Sequence, residues 1–113
     1  MLPKENRLKK DKEFEAVFKG GRTLKGKSVF LRYLINGTDK TKVGFVVSKK
    51  ISKLAVERNK IKRRMREIIR LKKKDIKEGL SVVIVSLPPI KGMGYKEIKD
   101  DLENLLTKEE LIK

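Results

Sequence analysis

Residues 57–74 read ERNKIKRRMREIIRLKKK, and this segment sets both the fold and the surface chemistry of the chain. A helix turns by about 100° per residue, so the apolar side chains of the segment fall in one arc that should pack on a sheet. They are Ile61, Met65, Ile68 and Ile69. The adjoining arc, about 140° wide at the same periodicity, carries Arg58, Asn59, Lys62, Arg63, Arg66 and Arg70. Lys60 and Arg64 lie on the opposite flank. We therefore expect one flank of this helix to be buried and the next to bind a partner.

The same segment concentrates positive charge. It holds ten Lys or Arg against two Glu, a net charge of +8 in a chain whose total is +16. Most charged helices are solvated surfaces with salt bridges, and Glu67 is spaced to pair with Arg63 or Arg64. Two acids cannot balance ten bases, however, and repulsion between like charges weakens the compact state. The pattern favours a polyanionic partner, with nucleic acid as the leading candidate.

Composition limits the remaining functions. At 113 residues and 13.1 kDa the chain predicts a single domain, residues 1–113, in which residues 1–10 form a basic, flexible arm. Cys and His are both absent, which removes thiol nucleophiles, disulfides and the common zinc ligands. The amino terminus has no apolar stretch resembling a signal peptide. We expect a cytoplasmic protein with no catalytic residues and no metal ligands of its own.

Hydrophobic periodicity predicts six elements. In order they are a helix over 11–19, strands over 28–35 and 42–48, the basic helix, a strand over 80–86 and a helix from Tyr95. The first two strands should pair as an antiparallel hairpin. The apolar run LSVVIVS at 80–86 should be a central, buried strand. The last helix should pack through Ile98, Leu102, Leu105 and Leu106. The order αββαβα predicts an α+β fold.

Three motifs resemble the bacterial ribonuclease P protein family. The string ERNKIKRRMRE at 57–67, preceded by VGFVVSKK at 43–50, is similar to the family pattern R-N-R/K-x-K-R-x-x-R after a strand ending in S-K-K. Upstream, the family patterns N-R-L and F-x-x-V-F-x-x-G are matched by Asn6, Arg7, Leu8, Phe14, Val17, Phe18 and Gly21. The strand at 80–86 and the helix from Tyr95 also match, so the resemblance covers nearly the whole chain.

That resemblance implies that this chain is the protein partner of a catalytic RNA. Together, the protein and the RNA would remove the 5′ leader of precursor tRNA. In this family the RNA performs the hydrolysis and holds the magnesium ions, while the protein grips the leader and strengthens substrate and magnesium binding. The implied partners are ribonuclease P RNA and precursor tRNA, with no DNA and no membrane, and the protein is expected to be a monomer in a 1:1 complex with the RNA. The implied fold is an α-β-β-α-β-α sandwich with a mixed sheet, similar to a domain of ribosomal and translation-factor proteins. Its βαβ crossover is left-handed, against the general preference.

The resemblance also implies two surfaces. The RNA-binding surface comprises Arg58, Asn59, Lys60, Lys62, Arg63, Arg66, Lys49, Lys50 and Arg7. The cleft for the single-stranded leader comprises Phe14, Phe18 and Arg32. Unstacked bases can stack on aromatic rings, and phosphates favour Lys and Arg. Two Phe residues on one face of a short helix are core in most proteins, so both core and cleft remain open for Phe14 and Phe18.

Two residues depart from the family pattern. Arg32 stands in the first long strand where many members have a Tyr on the cleft face, and Tyr33 should point to the other side by strand alternation. The guanidinium of Arg32 has the chemistry to stack on a base or to bind phosphate instead. Lys60 stands where the family often has Arg, which keeps the charge without the planar bidentate geometry.

Three other functions fit part of the pattern. A structural, rRNA-binding ribosomal protein would share this composition, and only the order of the three motifs argues against it. A DNA-binding regulator should show helix-turn-helix spacing or a dimer-forming segment, and neither is found. Association with a membrane surface is disfavoured because the apolar arc of 57–74 has no aromatic residue and is needed for the core.

Overall fold

The computed structural model describes residues 6–8 and 11–112, so most of the basic arm expected over residues 1–10 lies outside the described residues. Within them the helices are α1 (Asp11–Gly20), α2 (Ala55–Lys72) and α3 (Tyr95–Lys108), and the strands are β1 (Arg22–Lys25), β2 (Val29–Ile35), β3 (Lys42–Val46) and β4 (Leu80–Ser86). Short 3₁₀ helices at Lys73–Asp75 and Pro88–Gly92 follow α2 and β4. All six predicted elements are present in the predicted order, and β1 is an addition.

The four strands form one mixed sheet in the order β1-β2-β4-β3. β4 lies between β2, to which it is antiparallel, and β3, to which it is parallel. The prediction of a hairpin between β2 and β3 is therefore wrong. Such a hairpin would place β4, whose side chains are almost all buried, at an edge of the sheet with unpaired backbone groups. The central position gives β4 partners on both sides, as its apolar sequence predicts.

β1 is the element that hydrophobic periodicity missed. Its four residues, RTLK, include two charges, and only Leu24 is buried. β1 pairs with β2 as an antiparallel hairpin whose register places Leu24 opposite Leu31. The strand forms because β2 offers a free edge and a buried position for Leu24, and neither is visible in a window of four residues.

α2 connects the parallel strands β3 and β4, as predicted. Its buried side chains are the predicted Ile61, Met65, Ile68 and Ile69. The buried side chains of α3 include the predicted Ile98, Leu102, Leu105 and Leu106. Both helices pack in one cluster with the sheet, over side chains such as Leu31 and Ile84 that are fully buried. The α+β fold class is confirmed, and the left hand of the crossover stays a prediction.

The opposite face of the sheet is covered only in part, by α1. Val17 of α1 is fully buried in a small cluster with Leu8 and Val83. A ten-residue helix is only about 15 Å long and cannot cover four strands. One row across the sheet on this face therefore stays half-buried, and it consists of Phe30, Val85 and Val46, which lie opposite one another in register. This incomplete cover leaves room for a groove.

Candidate nucleic-acid interface

The outward side of α2 is a basic surface. Because the apolar arc is buried, the neighbouring flank faces solvent, where Asn59 and Arg63 are exposed and Lys62 and Arg66 are half-buried, and Lys60 is exposed on the opposite flank. None of these four cations forms a salt bridge with any residue in 6–8 or 11–112. Their charge is therefore not neutralised by the described part of the chain and is available to an external anion.

Arg58, in contrast, is partly held within the protein. One terminal nitrogen of its guanidinium donates to the carbonyl oxygens of Ser52 and Lys53, both at 2.9 Å. These bonds fix the loop that leads into α2, whose amino-terminal end has no side-chain cap. Arg58 is half-buried as a result, so part of its role is structural.

The predicted partner of Glu67 is wrong. Glu67 binds Arg70, three residues later, through hydrogen bonds of 2.6 and 3.1 Å, and neither Arg63 nor Arg64. The hydrogen bond from Arg70 lowers the pKa of Glu67. An acid that precedes its basic partner along a helix is the favoured arrangement. Arg64 instead donates to the carbonyl of Met93 at 3.2 Å, which ties α2 to the segment before α3.

Lys49 and Lys50 extend the basic surface into the loop between β3 and α2. Both side chains are exposed. They lie in a turn closed by a hydrogen bond of 3.0 Å from the amide of Ile51 to the carbonyl of Ser48. Ile51 is itself buried in the main core, so it anchors the turn and holds the two lysines in solvent.

A groove opens at the outer edge of β3. It encloses about 170 Å³, and its lining residues are Arg7, Leu8, Phe14, Val43, Gly44, Phe45 and Arg66. Three parts of the chain that are distant in sequence meet here, namely the amino-terminal segment with α1, then β3, and finally α2. Two arginines therefore border a largely apolar cavity that contains the ring of Phe14.

Gly44 makes room for the ring of Phe14 on the sheet. A Cβ atom at position 44 would lie 2.6 Å from two ring carbons of Phe14 and 3.1 Å from the Cβ of Leu8. Any other residue at this position would push the ring away. Phe14 is half-buried and packs against the cluster that contains Val17 and Val83. It is therefore both a core side chain and a wall of the groove.

The amino-terminal segment brings Arg7 to the groove by docking on β3. The amide of Leu8 donates to the carbonyl of Val43 at 3.2 Å, and Arg7 pairs with Val43 as a parallel bridge. The side-chain amide of Asn6 is buried and donates to the carbonyl of Thr41 at 2.8 Å. These three residues of the expected arm thus lie against the sheet.

Phe18 and Arg32 lie on the α1 side of the sheet but not among the residues that line the groove. The side chain of Phe18 is 41% exposed, and the guanidinium carbon of Arg32 lies 5.9 Å from its ring centroid. Arg32 and Tyr33 point to opposite faces of β2, as strand alternation predicts. Tyr33 enters the main core, and its hydroxyl donates to Glu109 at 3.2 Å. Of the three predicted cleft residues, only Phe14 lines the cavity.

Phe30 is an aromatic residue on this face that periodicity did not single out. It lies two residues before Arg32 on β2, opposite Val85 in register, and is half-buried. Side chains two residues apart on a strand point to the same face of the sheet. Strand alternation counted from Arg32 would therefore have identified it.

The model of the family described as Ribonuclease P matches residues 2–110. The chain belongs to the ribonuclease P protein family. The ribonuclease P protein component of a Pseudanabaena species is 39% identical over 113 residues, which cover 99% of this chain and 97% of that protein. The corresponding protein of Caldanaerobacter subterraneus is 35% identical over 108 residues, covering 96% and 92%. Family membership makes this chain a protein component of the endoribonuclease that acts in tRNA 5′ maturation.

Solved structures of ribonuclease P proteins have the same fold. The protein of Staphylococcus aureus matches with a TM-score of 0.88 at 30% identity, over 97% of this chain and all of that chain (100%). The protein of Thermotoga maritima matches with a TM-score of 0.82 at 30% identity, over 90% of this chain and 96% of that chain. The mixed sheet and its helices are therefore those of the ribonuclease P protein fold.

Within residues 6–8 and 11–112 of this ribonuclease P protein, no group of three or more His, Cys, Asp or Glu side chains is placed to hold a metal ion. In the same part of the chain no helix is both long enough and apolar enough to cross a membrane.

Proposed function

We propose that this chain binds ribonuclease P RNA through the basic flank of α2 and the single-stranded 5′ leader of precursor tRNA through the groove at β3, and so assists endonucleolytic removal of the leader. The observation that carries the proposal is the meeting of Arg7, Phe14 and Arg66 around one cavity. The ring of Phe14 and two guanidinium groups at one place suit a ligand that has both free bases and phosphates.

Single-stranded RNA presents the two chemistries that the groove can use. An unstacked base gains roughly 1–3 kcal/mol by stacking on an aromatic side chain, and Phe14 supplies such a ring. Phosphates form charge-assisted hydrogen bonds with guanidinium groups, which Arg7 and Arg66 carry. A duplex keeps its bases stacked inside and could not use Phe14, so the groove favours a single strand. Phe30, half-buried on the same side of the sheet, would extend the stacking surface.

The catalytic RNA is the proposed ligand of the remaining polar and basic side chains. They lie on α2 and on the loop before it, and they are Lys49, Lys50, Arg58, Asn59, Lys60, Lys62 and Arg63. A folded RNA presents closely spaced phosphates. A helix flank whose cations lack acidic partners suits such a surface, because binding replaces the condensed counterions of the RNA.

The proposal assigns hydrolysis and its magnesium ions to the RNA. The chain has no His and no Cys, and the described carboxylates form no metal-binding group. Its own residues therefore bind and orient. We propose that one copy of the chain joins one RNA in a cytoplasmic ribonucleoprotein, with no DNA or membrane as partner.

Phe14→Leu tests the groove. Leucine keeps an apolar side chain of moderate size but removes the ring, so stacking on a leader base is lost. We expect the complex of this chain with ribonuclease P RNA to bind precursor tRNA about tenfold more weakly, near the low end of the energy of one stacked base. Its affinity for mature tRNA should not change. Titration of both fluorescently labelled tRNAs measures the two affinities.

Tyr95→Leu is the matched control for that substitution. It removes another partly exposed ring, at the start of α3 and outside the groove, and should leave both affinities unchanged. Thermal unfolding of the two variants checks that each is folded. An equal loss of affinity for precursor and mature tRNA with Phe14→Leu would contradict the leader groove.

A further inference from the structure

We infer that Arg32 is a positioning residue for the groove, which fixes the carboxyl-terminal end of α1 on the sheet and does not itself contact the leader. The inference rests on the proposed binding of the leader. It assigns a different role to a side chain whose charge and place in the sequence suggest a contact with base or phosphate. Its basis is that the guanidinium group already bonds to the protein.

Four of the five N–H groups of this guanidinium have acceptors within the chain. One terminal nitrogen donates to the carbonyl oxygens of Phe18 at 2.6 Å and Gly21 at 3.0 Å. The other donates to the hydroxyl of Thr23 at 2.7 Å. The Nε atom donates to the carbonyl of Val17 at 3.4 Å. One side chain of β2 is thereby joined to the end of α1, to the residue after it and to β1.

The helix end explains why these carbonyls attract a cation. The last carbonyl groups of an α-helix have no amide partner within the helix, and they carry a partial negative charge. α1 ends at Gly20, so Val17 and Phe18 belong to its last turn. The carbonyl of Val17 also accepts a hydrogen bond of 2.8 Å from the amide of Gly21, so Arg32 is its second donor. A planar guanidinium can bind several acceptors at once, whereas a lysine ammonium on a flexible stem is a single point charge. Arg32 is therefore suited to close this helix end.

The orientation of α1 depends on few contacts. The helix has only ten residues, a length that is marginal in isolation, and one fully buried side chain, Val17. Near its start an ion pair of 3.0 Å joins Glu13 to Lys42 of β3. Near its end Arg32 supplies the bonds to the sheet. Without Arg32, the packing of Val17 would be the main contact left between the carboxyl-terminal half of α1 and the sheet, and this release of the helix end from β2 would change the tilt of α1.

That release would disturb the wall of the groove. Phe14 lies four residues before Phe18, on the same face of α1, and its ring must sit within van der Waals distance of Gly44 to line the cavity. A change in the tilt of α1 moves this ring but leaves Arg7, which is docked on β3, and Arg66 on α2 in place. The expected defect is therefore in stacking and not in phosphate binding.

Two substitutions separate positioning from contact. Arg32→Ala removes the charge and the bonds, whereas Arg32→Lys keeps the charge and cannot replace the four bonds. In the complex with ribonuclease P RNA, we measure the affinity for precursor tRNA divided by the affinity for mature tRNA. Both substitutions should lower this ratio by at least about fivefold, and by no more than the loss of the Phe14 ring does. Both should also speed hydrogen exchange of the α1 amides. The slope of log K against log salt for precursor tRNA should stay that of the unsubstituted chain, since no phosphate contact is lost.

Arg22→Ala is the matched control. It removes an exposed arginine from the neighbouring strand, opposite Tyr33 in register and thus on the other face of the sheet, and it should change neither the ratio nor the exchange. If Arg32→Lys keeps the ratio and Arg32→Ala lowers the salt slope by roughly 0.7–0.9, the value of one phosphate contact, the inference is overturned and Arg32 is a phosphate contact. Should Arg32→Ala fail to fold, Arg32→Lys alone carries the test.

Phe14→Leu, measured beside these variants, keeps the two proposals distinguishable. If it lowers the ratio while both Arg32 variants keep it, the positioning role fails and the leader groove stands. If it leaves the ratio unchanged, the leader groove itself fails. Binding of each variant to ribonuclease P RNA alone, through α2, checks that the rest of the chain is folded.

Discussion

The carboxylate of Asp101 fastens α3 to the turn between β1 and β2. It accepts hydrogen bonds from the amides of Lys27 and Ser28 at 3.0 and 2.7 Å, and from the hydroxyl of Ser28 at 2.6 Å. Burial alone would raise the pKa of Asp101. These bonds, with a contribution from the amide of Val29, outweigh that cost, so the pKa lies below its ordinary value. A single charged residue thus adds three hydrogen bonds to the apolar packing that holds the third helix.

Asp101→Asn should lower the free energy of unfolding at pH 7 by about 2 kcal/mol, the usual cost of breaking hydrogen bonds to a buried, charged acceptor. The carboxylate has a lower pKa when folded, so its stabilising effect is complete above the ordinary pKa of 3.8 and is lost as the pH falls through the folded pKa. Urea unfolding at a series of pH values should show the stability difference between the two proteins shrinking in acid.

Asp100→Asn makes the same change of charge at an exposed neighbour on α3. It should alter the free energy of unfolding by no more than about 0.5 kcal/mol, as is usual for surface positions. Equal losses from the two substitutions, or a stability difference for Asp101→Asn that does not vary with pH, would show that the bonds to the turn contribute little.

At the scale of elements, α2 joins the basic surface to the groove. Its buried flank fixes the rotation of the helix on the sheet, and that rotation leaves Arg63 exposed and places Arg66 at the cavity beside Phe14. Because one helix carries both kinds of residue, the proposed RNA-binding surface and the proposed leader groove are held at a fixed spacing. The helix therefore acts as the common support of the two sites.

Replacing Lys60, Lys62 and Arg63 together by Ala should weaken the binding of ribonuclease P RNA and reduce its salt dependence. Each phosphate contact contributes roughly 0.7–0.9 to the slope of log K against log salt, so the loss of three should reduce that slope by about 2 to 3. Alanine is a strong helix former, and α2 should remain helical by circular dichroism. Titrations of the RNA at several salt concentrations measure the slope.

A control variant with Ala at Arg22, Lys25 and Lys108 removes the same charge from β1, at the opposite edge of the sheet from β3, and from the end of α3. Its salt slope should equal that of the unsubstituted chain. If the slope of log K against log salt falls equally in both triple variants, RNA binding is determined by the total charge of the chain and not by the basic residues of α2.

The elements that the sequence predicted are those with a strong internal pattern. α2 and α3 repeat apolar residues at helical spacing, and β4 is an apolar run, so each could be identified from its own residues. Every pair in the register of β2 with β4 joins residues at least 45 positions apart in the chain, from Ile35 with Leu80 to Val29 with Ser86, and no local pattern specifies this pairing. β1 is likewise defined by its partner and not by its four residues.

At the scale of the whole molecule, helices cover the two faces of the sheet to different extents. α2 and α3 close one face over a core that includes Val29, Leu31 and Ile84, all fully buried. Of the described residues 6–8 and 11–112, α1 and the segment with Leu8 lie on the other face, and a row of half-buried side chains remains there from Phe30 to Val46 of β3. One face therefore buries most of the apolar side chains, and the other keeps apolar side chains that are partly exposed.

The sequence predicted which residues form the candidate site better than it predicted how those residues are arranged. The motifs named Arg7, Phe14 and Arg66, and the fold brings these three to one cavity. They did not indicate that Arg58 bonds to the loop before α2 or that Arg32 bonds to the end of α1. Both arginines bind backbone carbonyls, and which carbonyls a side chain can reach depends on tertiary packing.

The central claim is that the protein binds while the RNA cuts. It is tested most directly by measuring the rate at which ribonuclease P RNA removes the leader from precursor tRNA at low magnesium, with and without this chain. We expect the chain to raise the rate of cleavage by the RNA and to cleave nothing alone. Cleavage by the purified chain without RNA, or an RNA-catalysed rate that the chain leaves unchanged, would contradict it.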